Sequence, residues 1–311
     1  MYKDNRIAVV APCRNEAAHI GEVIRTMPDF VDHIVVVDDR SDDDTAGVAE
    51  KSGDPRVIVL RTEANQGVGG ATILGYQKGL DLGVDVLVKM DGDGQMPPEF
   101  LSELLDALVE KDFDYAKGNR FLAGESLAFM PKHRLVGNVA LTFMTKLASG
   151  YWHVFDPQNG FTAIKSRSLR MLNLGKIHKR FFFENDMLVA LNFHSSRVAD
   201  VAIPSRYGDE VSDLSPFRIG MTFPILLLQR FTRRIYQRYV LRDFSPVALF
   251  LLMGLGLFLW GAGFGIYLWI ETAVTGRATP TGTIMLALLP LILGFQLLLQ
   301  AIVLDIANTP K

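Results

Sequence analysis

A single cysteine, Cys13, in 311 residues excludes an internal disulfide framework and fits a reducing compartment. It closes a short apolar run, where a small residue at a strand end explains it better than a nucleophile does. Charge of one sign is also lacking. The 32 Lys plus Arg against 34 Asp plus Glu leave a formal net charge of -2, which excludes polynucleotide binding by bulk charge, so no nucleic-acid partner is expected. Internal repeats and low-complexity segments are missing, which removes solenoid, collagenous and disordered classes. The apolar run at 7–11 is too short for a signal peptide, so the N-terminus is expected to stay in the cytosol.

Two long stretches lack charge altogether. Residues 246–270 and 278–304 contain no Asp, Glu, Lys or Arg, and each exceeds the roughly 20 residues that cross a bilayer core as a helix. Two transmembrane helices are expected, against the alternative of two buried core helices; Trp260 and Trp269 and a set of glycines favour the membrane. Residues 214–242 lack acids while carrying Arg218, Arg230, Arg233, Arg234, Arg238 and Arg242. With Phe231, Tyr236 and Tyr239 among them, these arginines suit an interfacial helix on anionic headgroups, the alternative being a solvated basic helix. The positive-inside bias places this segment, both termini and everything before it on the cytoplasmic side, with the 271–282 link outside.

Before residue 214, β-branched runs alternate with amphipathic stretches, the pattern of an α/β domain whose mostly parallel sheet is covered by helices on both faces. Strands are expected at 7–11, 33–37, 56–60, 84–90 and 115–117, with helices near 16–27, 45–51, 69–82 and 98–111. The domain plan is then a catalytic domain over 1–213, basic amphipathic helices over 214–243 and a helical hairpin over 244–311.

In open sheets of this kind, ligands sit beyond the carboxyl ends of the strands. After the first strand stands Pro12-Cys13-Arg14-Asn15-Glu16, where a nicotinamide-binding fold would want Gly-x-Gly-x-x-Gly. The dinucleotide reading loses its main support. Glycines come instead at Asn65-Gln66-Gly67-Val68-Gly69-Gly70, either to start a helix close to a diphosphate or to make a tight turn. The run from Asp38 to Thr45 offers carboxylates to a base or ribose, or a helix cap in Asp43 or Asp44. Met90-Asp91-Gly92-Asp93-Gly94-Gln95 is more specific. Two carboxylates at i, i+2 after an apolar strand can approach one divalent cation that carries a substrate diphosphate, the alternative being an acidic turn.

These segments resemble the family-2 glycosyltransferases with the GT-A fold, and within them the polyprenyl-phosphate glycosyltransferases of the dolichyl-phosphate mannose synthase type. The resemblance is carried by Pro12 to Glu16, Val36-Val37-Asp38-Asp39 with Ser41 and Thr45, and Asn65 to Ala71. It continues through Met90 to Gln95, Gly118-Asn119-Arg120, Asp156-Pro157-Gln158-Asn159-Gly160-Phe161 and the segment from Arg206-Tyr207-Gly208 to Ser212. It implies an inverting, membrane-bound transfer from a UDP- or GDP-sugar to dolichyl or undecaprenyl phosphate, in protein glycosylation or cell-envelope assembly. Pro12, Asn15, Glu16, Asp39, Gly67 and Asp91 are implied for the donor, with Arg206 and Ser212 in a segment that closes over it. Asp91 and Asp93 are implied to hold Mg²⁺ or Mn²⁺ with Gln95 beside them. Arg120, Arg134 and Asn138 are implied for the lipid phosphate, Asn138 standing where the family has serine, and Asp156 and Gln158 for the acceptor-side wall. Asp91, Asp93, Gln95, Arg120 and Arg134 form the implied catalytic set, with membrane lipids as further partners and self-association into a homo-oligomer left open.

The chemistry agrees. A polyprenyl phosphate is already an anion at neutral pH, so its attack on the anomeric carbon needs positioning and charge neutralisation more than a strong base. Glu184 and Asp186 are read as assisting, as capping a helix, or as supporting the site residues from behind. Two rivals stand beside this reading. A processive polysaccharide synthase would carry Gln-x-x-Arg-Trp, whereas Gln158 is followed by Asn159, Gly160, Phe161 and Thr162. A catalytically inactive lipid-binding scaffold is opposed by the intact Asp91, Asp93, Arg120 and Arg134.

Overall fold

The apolar run at the N-terminus forms a strand in which all seven residues, Ile7–Cys13, are buried. A strand covered on both faces needs no polar alternation, which is why it reads as continuous Ile, Val and Ala. The computed structural model describes residues 1–122, 132–204 and 216–310, with the backbone alone described at 132–136, 138 and 216–221. Contacts group the chain into two compact units, Met1–Arg230 and Phe231–Thr309. That division falls inside a helix rather than at either composition break.

In the first unit the order is β1 (Ile7–Cys13), α1 (Ile20–Arg25), β2 (His33–Asp38), α2 (Thr45–Glu50), β3 (Val57–Arg61), α3 (Val68–Asp81), β4 (Val86–Lys89), α4 (Leu101–Val109) and β5 (Tyr115–Asn119). It continues with α5 (Lys132–Ser149), β6 (Thr162–Lys165), α6 (Ser166–Met171), α7 (Phe183–Phe193), β7 (Val198–Ala202) and α8 (Pro216–Ile235). The seven strands make one sheet ordered β3-β2-β1-β4-β6-β5-β7. The pleat divides the core: Ile7, Val9 and Ala11 face the α1 and α4 side, while Ala8 and Val10 face α3 and α7.

The sheet is mixed rather than parallel throughout. β1 pairs in parallel with β2 and β4, and β5 with β7, but β6 runs antiparallel to both of its neighbours. The reversal positions the site. It brings the loop that precedes β6 to the edge where the other strands end, so the segments after Cys13, Asp38, Lys89, Asn119 and Ala202 share that edge with residues 156–161.

In the second unit, a π-helical turn (Tyr236–Arg242) leads to α9 (Pro246–Thr275) and α10 (Thr281–Ala307). Only 22% and 17% of the most apolar windows of α9 and α10 are buried. Core helices of a soluble protein would be mostly covered, whereas here Leu252, Leu259, Trp260, Trp269 and Ile292 point outward. The pair reads as membrane spans. Its seam is built of small residues recurring every seven positions, Gly254 and Gly261 on α9 against Ala287, Gly294 and Ala301 on α10. A Cβ at Gly294 would lie 2.4 Å from the Phe258 amide nitrogen, so the backbones approach as closely as glycine allows.

The arginines before the spans depart from the sequence expectation. Arg234 is buried in an ion pair with Asp305 at 2.7 Å, which also accepts from the Tyr239 hydroxyl at 2.6 Å. Arg238 donates to the Asn308 carbonyl, and in the first unit Arg230 pairs with Asp186 at 2.7 Å. Arg233 and Arg242 remain exposed, as headgroup contact requires. An aspartate at the end of a span demands a partner, and the nearby arginine meets that need before any lipid does.

Candidate active site

The segment after β1 is tied to the one after β2. Asn15, at φ 60°, takes a left-handed conformation; its amide donates to Ser41 Oγ at 2.9 Å, and its Oδ1 accepts from the Asp42 amide at 2.8 Å. The Glu16 amide donates to Thr45 Oγ1 at 2.8 Å. Asp43 accepts the Thr45 amide just before α2, while Asp44, at the N-cap position, makes no side-chain capping bond. Asp39 is nearly closed off from solvent. Its Oδ1 accepts from Thr62 Oγ1 and the Gln66 amide, and its Oδ2 from the Gly67 amide at 2.7 Å.

Gly67 has φ 82° and space for no side chain, since a Cβ would lie 2.8 Å from the Lys179 carbonyl. The Gly70 amide donates to that same carbonyl. Gly67 therefore turns the chain into α3, which begins at Val68, and the amides of Gly67 and Gly70 are held by Asp39 and the Lys179 carbonyl. The Cys13 thiol beneath this edge is pushed well up by burial, and the carboxylates of Glu16, Asp91, Asp38 and Asp93 push it the same way. A nucleophile would need the opposite.

After β4, Asp91, Asp93 and Gln95 line one cavity of about 170 Å³ together with Arg120 from the end of β5, Gln158, Asn159 and Gly160 from the loop before β6, and Ile203 after β7. The Asp93 Oδ1 accepts from the Gln95 amide at 3.0 Å, which closes the turn. Arg120 holds the buried Asp156 through two bonds, Nε to Oδ2 at 2.8 Å and Nη2 to Oδ1 at 3.1 Å. That fork leaves a partly exposed guanidinium fixed in orientation at the cavity.

Sequence reasoning missed the base of this site. Lys89, 1% exposed at the end of β4, donates to Asp91 Oδ1 at 2.5 Å and lies 3.2 Å from Glu184 Oε1 on α7. Burial opposes its charge, but the adjacent Asp91 and Glu184 outweigh burial and hold its pKa above the ordinary lysine value. Gly160 sits directly over this pair: a Cβ there would fall 2.5 Å from Lys89 Nζ and 2.7 Å from Asp91 Oδ2. Lys117 of β5 is also fully buried, its ammonium donating to the Asn159 carbonyl. The available signal was a lysine inside each of two strands otherwise read as buried, since such a charge requires partners.

The geometry thus brings Asp91, Asp93, Gln95, Arg120 and Gln158 together. Asn15, Glu16, Asp39 and Gly67 lie in the adjoining loops of the same edge, whereas Pro12, expected after the first strand, is inside β1 and registered against Val37. Arg134 and Asn138 lie on α5, but their side chains are outside the described residues, as are Arg206 and Ser212 altogether. Asp186 accepts the His178 amide at 2.8 Å and pairs with Arg230, a structural use rather than a cavity contact.

Residues 8–172, more than half of the chain, match the profile of Glycosyl transferase family 2. The chain belongs to glycosyl transferase family 2. A relative from Methanococcus voltae, named as a UDP-N-acetylglucosamine--dolichyl-phosphate N-acetylglucosaminyltransferase, is 29% identical over 219 residues, covering 66% of this chain and 87% of that one. An undecaprenyl-phosphate mannosyltransferase from Micrococcus luteus is 32% identical over 203 residues, covering 64% and 82%. Among solved structures, glucosyl-3-phosphoglycerate synthase from Mycobacterium tuberculosis, in complex with Mn²⁺, UDP and glucosyl-3-phosphoglycerate, superposes with a TM-score of 0.53 at 21% identity, covering 74% and 80%. That likeness shows the GT-A fold for this family 2 chain.

The residues of this family 2 site fit a divalent cation. With Asp91 Oδ1 on Lys89, its Oδ2 is the oxygen left for a further ligand, and Asp93 and Gln95 add hard oxygen donors in the same cavity. Among the described residues no group of three or more His, Cys, Asp or Glu makes an all-protein cage. Two carboxylates suit an ion that completes its shell with phosphate oxygens and water.

Proposed function

We propose that this family 2 glycosyl transferase moves a sugar from a nucleoside diphosphate to a polyprenyl phosphate at the cytoplasmic face of a membrane, with inversion at the anomeric carbon. One observation carries the reading. A single cavity has an acidic side, Asp91 and Asp93, and a cationic side in Arg120, which are the complements of a cation-bound diphosphate and of a phosphate acceptor. The names of the two relatives agree with it, and the exposed apolar hairpin suits an enzyme whose acceptor cannot leave the bilayer.

Asp91 and Asp93 would hold Mg²⁺ or Mn²⁺, which when bound offsets the charge that builds on the departing diphosphate. Lys89 holds the Asp91 carboxylate in place through its Oδ1. Arg120, oriented by Asp156, binds the acceptor phosphate, with Arg134 and Asn138 proposed to complete that grip. The end of β1 at Pro12, the turn of Asn15 and Glu16, and the loop that Asp39 fixes through Gly67 receive the nucleoside, and the segment of Arg206 and Ser212 covers it. A phosphate oxygen attacks the anomeric carbon as the bond from that carbon to the diphosphate breaks, its electron pair leaving with the nucleotide. The nucleophile brings its own negative charge, so no side chain is required as a base. The exposed Arg233 and Arg242 favour the cytoplasmic side by the positive-inside bias.

The test is a panel of UDP- and GDP-sugars offered with polyprenyl phosphate to the detergent-solubilised protein, with lipid products read by mass spectrometry. One sugar added per lipid is expected. Polymer, or no lipid product from any donor, would overturn the proposal.

A further inference from the structure

Two lysines stand in one row of the sheet, Lys89 of β4 and Lys117 of β5, each registered against Thr162 of the antiparallel strand between them. Both are fully buried, and both reach the loop before β6 at consecutive carbonyls. Lys117 donates to Asn159 O, and Lys89 to Gly160 O at 3.4 Å. This loop carries Asp156, Gln158, Asn159 and Gly160, so it supplies the Arg120 counter-ion and one wall of the cavity. Loops of irregular backbone do not ordinarily recruit buried ammonium groups, because desolvating the charge is costly unless an opposite charge holds it.

We propose that Lys117, acting with Lys89, is a positioning residue for the acceptor: the two buried ammonium groups form a cradle that holds residues 156–160 in place and thereby aims Arg120 through Asp156. The inference rests on the reading of this cavity as the place where the phosphate acceptor binds. Lys117 faces Glu184 from α7, Asp156 from the loop, Lys89 from β4 and Asp200 from β7. Burial lowers its pKa to about 8, more than Glu184 and Asp156 raise it. As pH rises through that value the loop loses a charged donor, and the surrounding carboxylates face an anionic acceptor with one less cation among them.

The test compares wild type with Lys117→Met, which keeps the stem and removes the ammonium, and Lys117→Gln, which keeps a neutral donor. Initial rates are measured with the acceptor varied, from pH 6.5 to 9.5 (roughly spanning the lysine's titration). In wild type the acceptor KM should rise above pH about 8. In both variants KM at neutral pH should increase about tenfold, with donor affinity by calorimetry unchanged and the limb near pH 8 absent. Retention of the wild-type KM and limb, or an equal loss of donor affinity, would overturn the proposal. Hydrogen exchange supplies a readout without turnover. Amides of 156–161 should exchange faster in the Met variant while β4 and β5 stay protected, and unchanged protection of that loop would count against the cradle even if wild type made no lipid product.

Discussion

Gly160 shows how little freedom the centre of the site has. Its missing side chain leaves space that Lys89 Nζ and Asp91 Oδ2 would otherwise contest, and Lys89 is anchored by Asp91 and Glu184 and cannot swing aside. Gly160→Ala should therefore cost about 10²-fold or more in kcat/KM, through displacement of Asp91 or of the loop, with the fold retained by circular dichroism. Activity within twofold of wild type would contradict this account. Asp93→Ala, or excess chelator on the wild type, should lower transfer by about 10²–10³-fold, since both remove stabilisation of the departing diphosphate. Full turnover in chelator would sink the metal assignment. Lys117 yields a stability prediction of definite sign. Its folded pKa, about 8, lies below its ordinary 10.5, so the folded chain binds fewer protons between those values and stability rises with pH across that window. Lys117→Met has no group that titrates there, so it should lose this rise in stability between about pH 8 and about pH 10. Urea unfolding of both proteins at the two pH values checks it; a variant whose stability climbs across the window as steeply as wild type would reverse the conclusion.

At the scale of elements, the antiparallel β6 is what makes the cavity two-sided. Parallel strands alone would present only segments that follow strands; the reversal adds a segment that precedes one, and with it Asp156, Gln158 and Gly160. The central strands and their helices were legible because 7–11 and 34–37 are continuous apolar runs. Strands β6 and β7 were not, since four residues reading Thr-Ala-Ile-Lys and five reading Val-Ala-Asp-Val-Ala carry no distinctive period. The hairpin offers an element-scale test. Gly294→Leu must push against the Phe258 backbone, whereas Gly256 has open space around it and should accept Leu. In detergent the first substitution should destabilise by about 1–3 kcal/mol and the second by far less, read as thermal midpoints side by side. Equal midpoints would mean that the helices do not pack along this seam.

For the molecule as a whole, the arginines decide where it can be divided. A cut at the end of the basic segment, after Asp243, would remove Asp305 and leave Arg234 without its buried partner. A cut after Arg230 keeps that arginine with Asp186 and follows the division between the two compact units. Residues 1–230 should therefore fold and bind a nucleotide sugar with wild-type affinity, yet transfer poorly to a long-chain acceptor in vesicles. Calorimetry on the fragment, and transfer assayed with short and long polyprenyl phosphates, separate the two outcomes. A fragment as active on the long acceptor as the intact chain would show that the spans contribute nothing to substrate encounter.

Contiguous residues alone carry three features: two charge-free spans, an α/β alternation, and the Asp91-Gly92-Asp93 turn at a strand end. Each depends on local composition and spacing, which survive without knowledge of the fold. The folded arrangement was needed to show that Arg234 serves Asp305 rather than a headgroup, that Asp39 secures Gln66 and Gly67, and that Arg120 is oriented by Asp156. It likewise decided that Lys89 and Lys117 lie beneath one loop. These pairings join residues 27 to 71 positions apart, and a buried charge selects its partner by proximity in space once water is excluded.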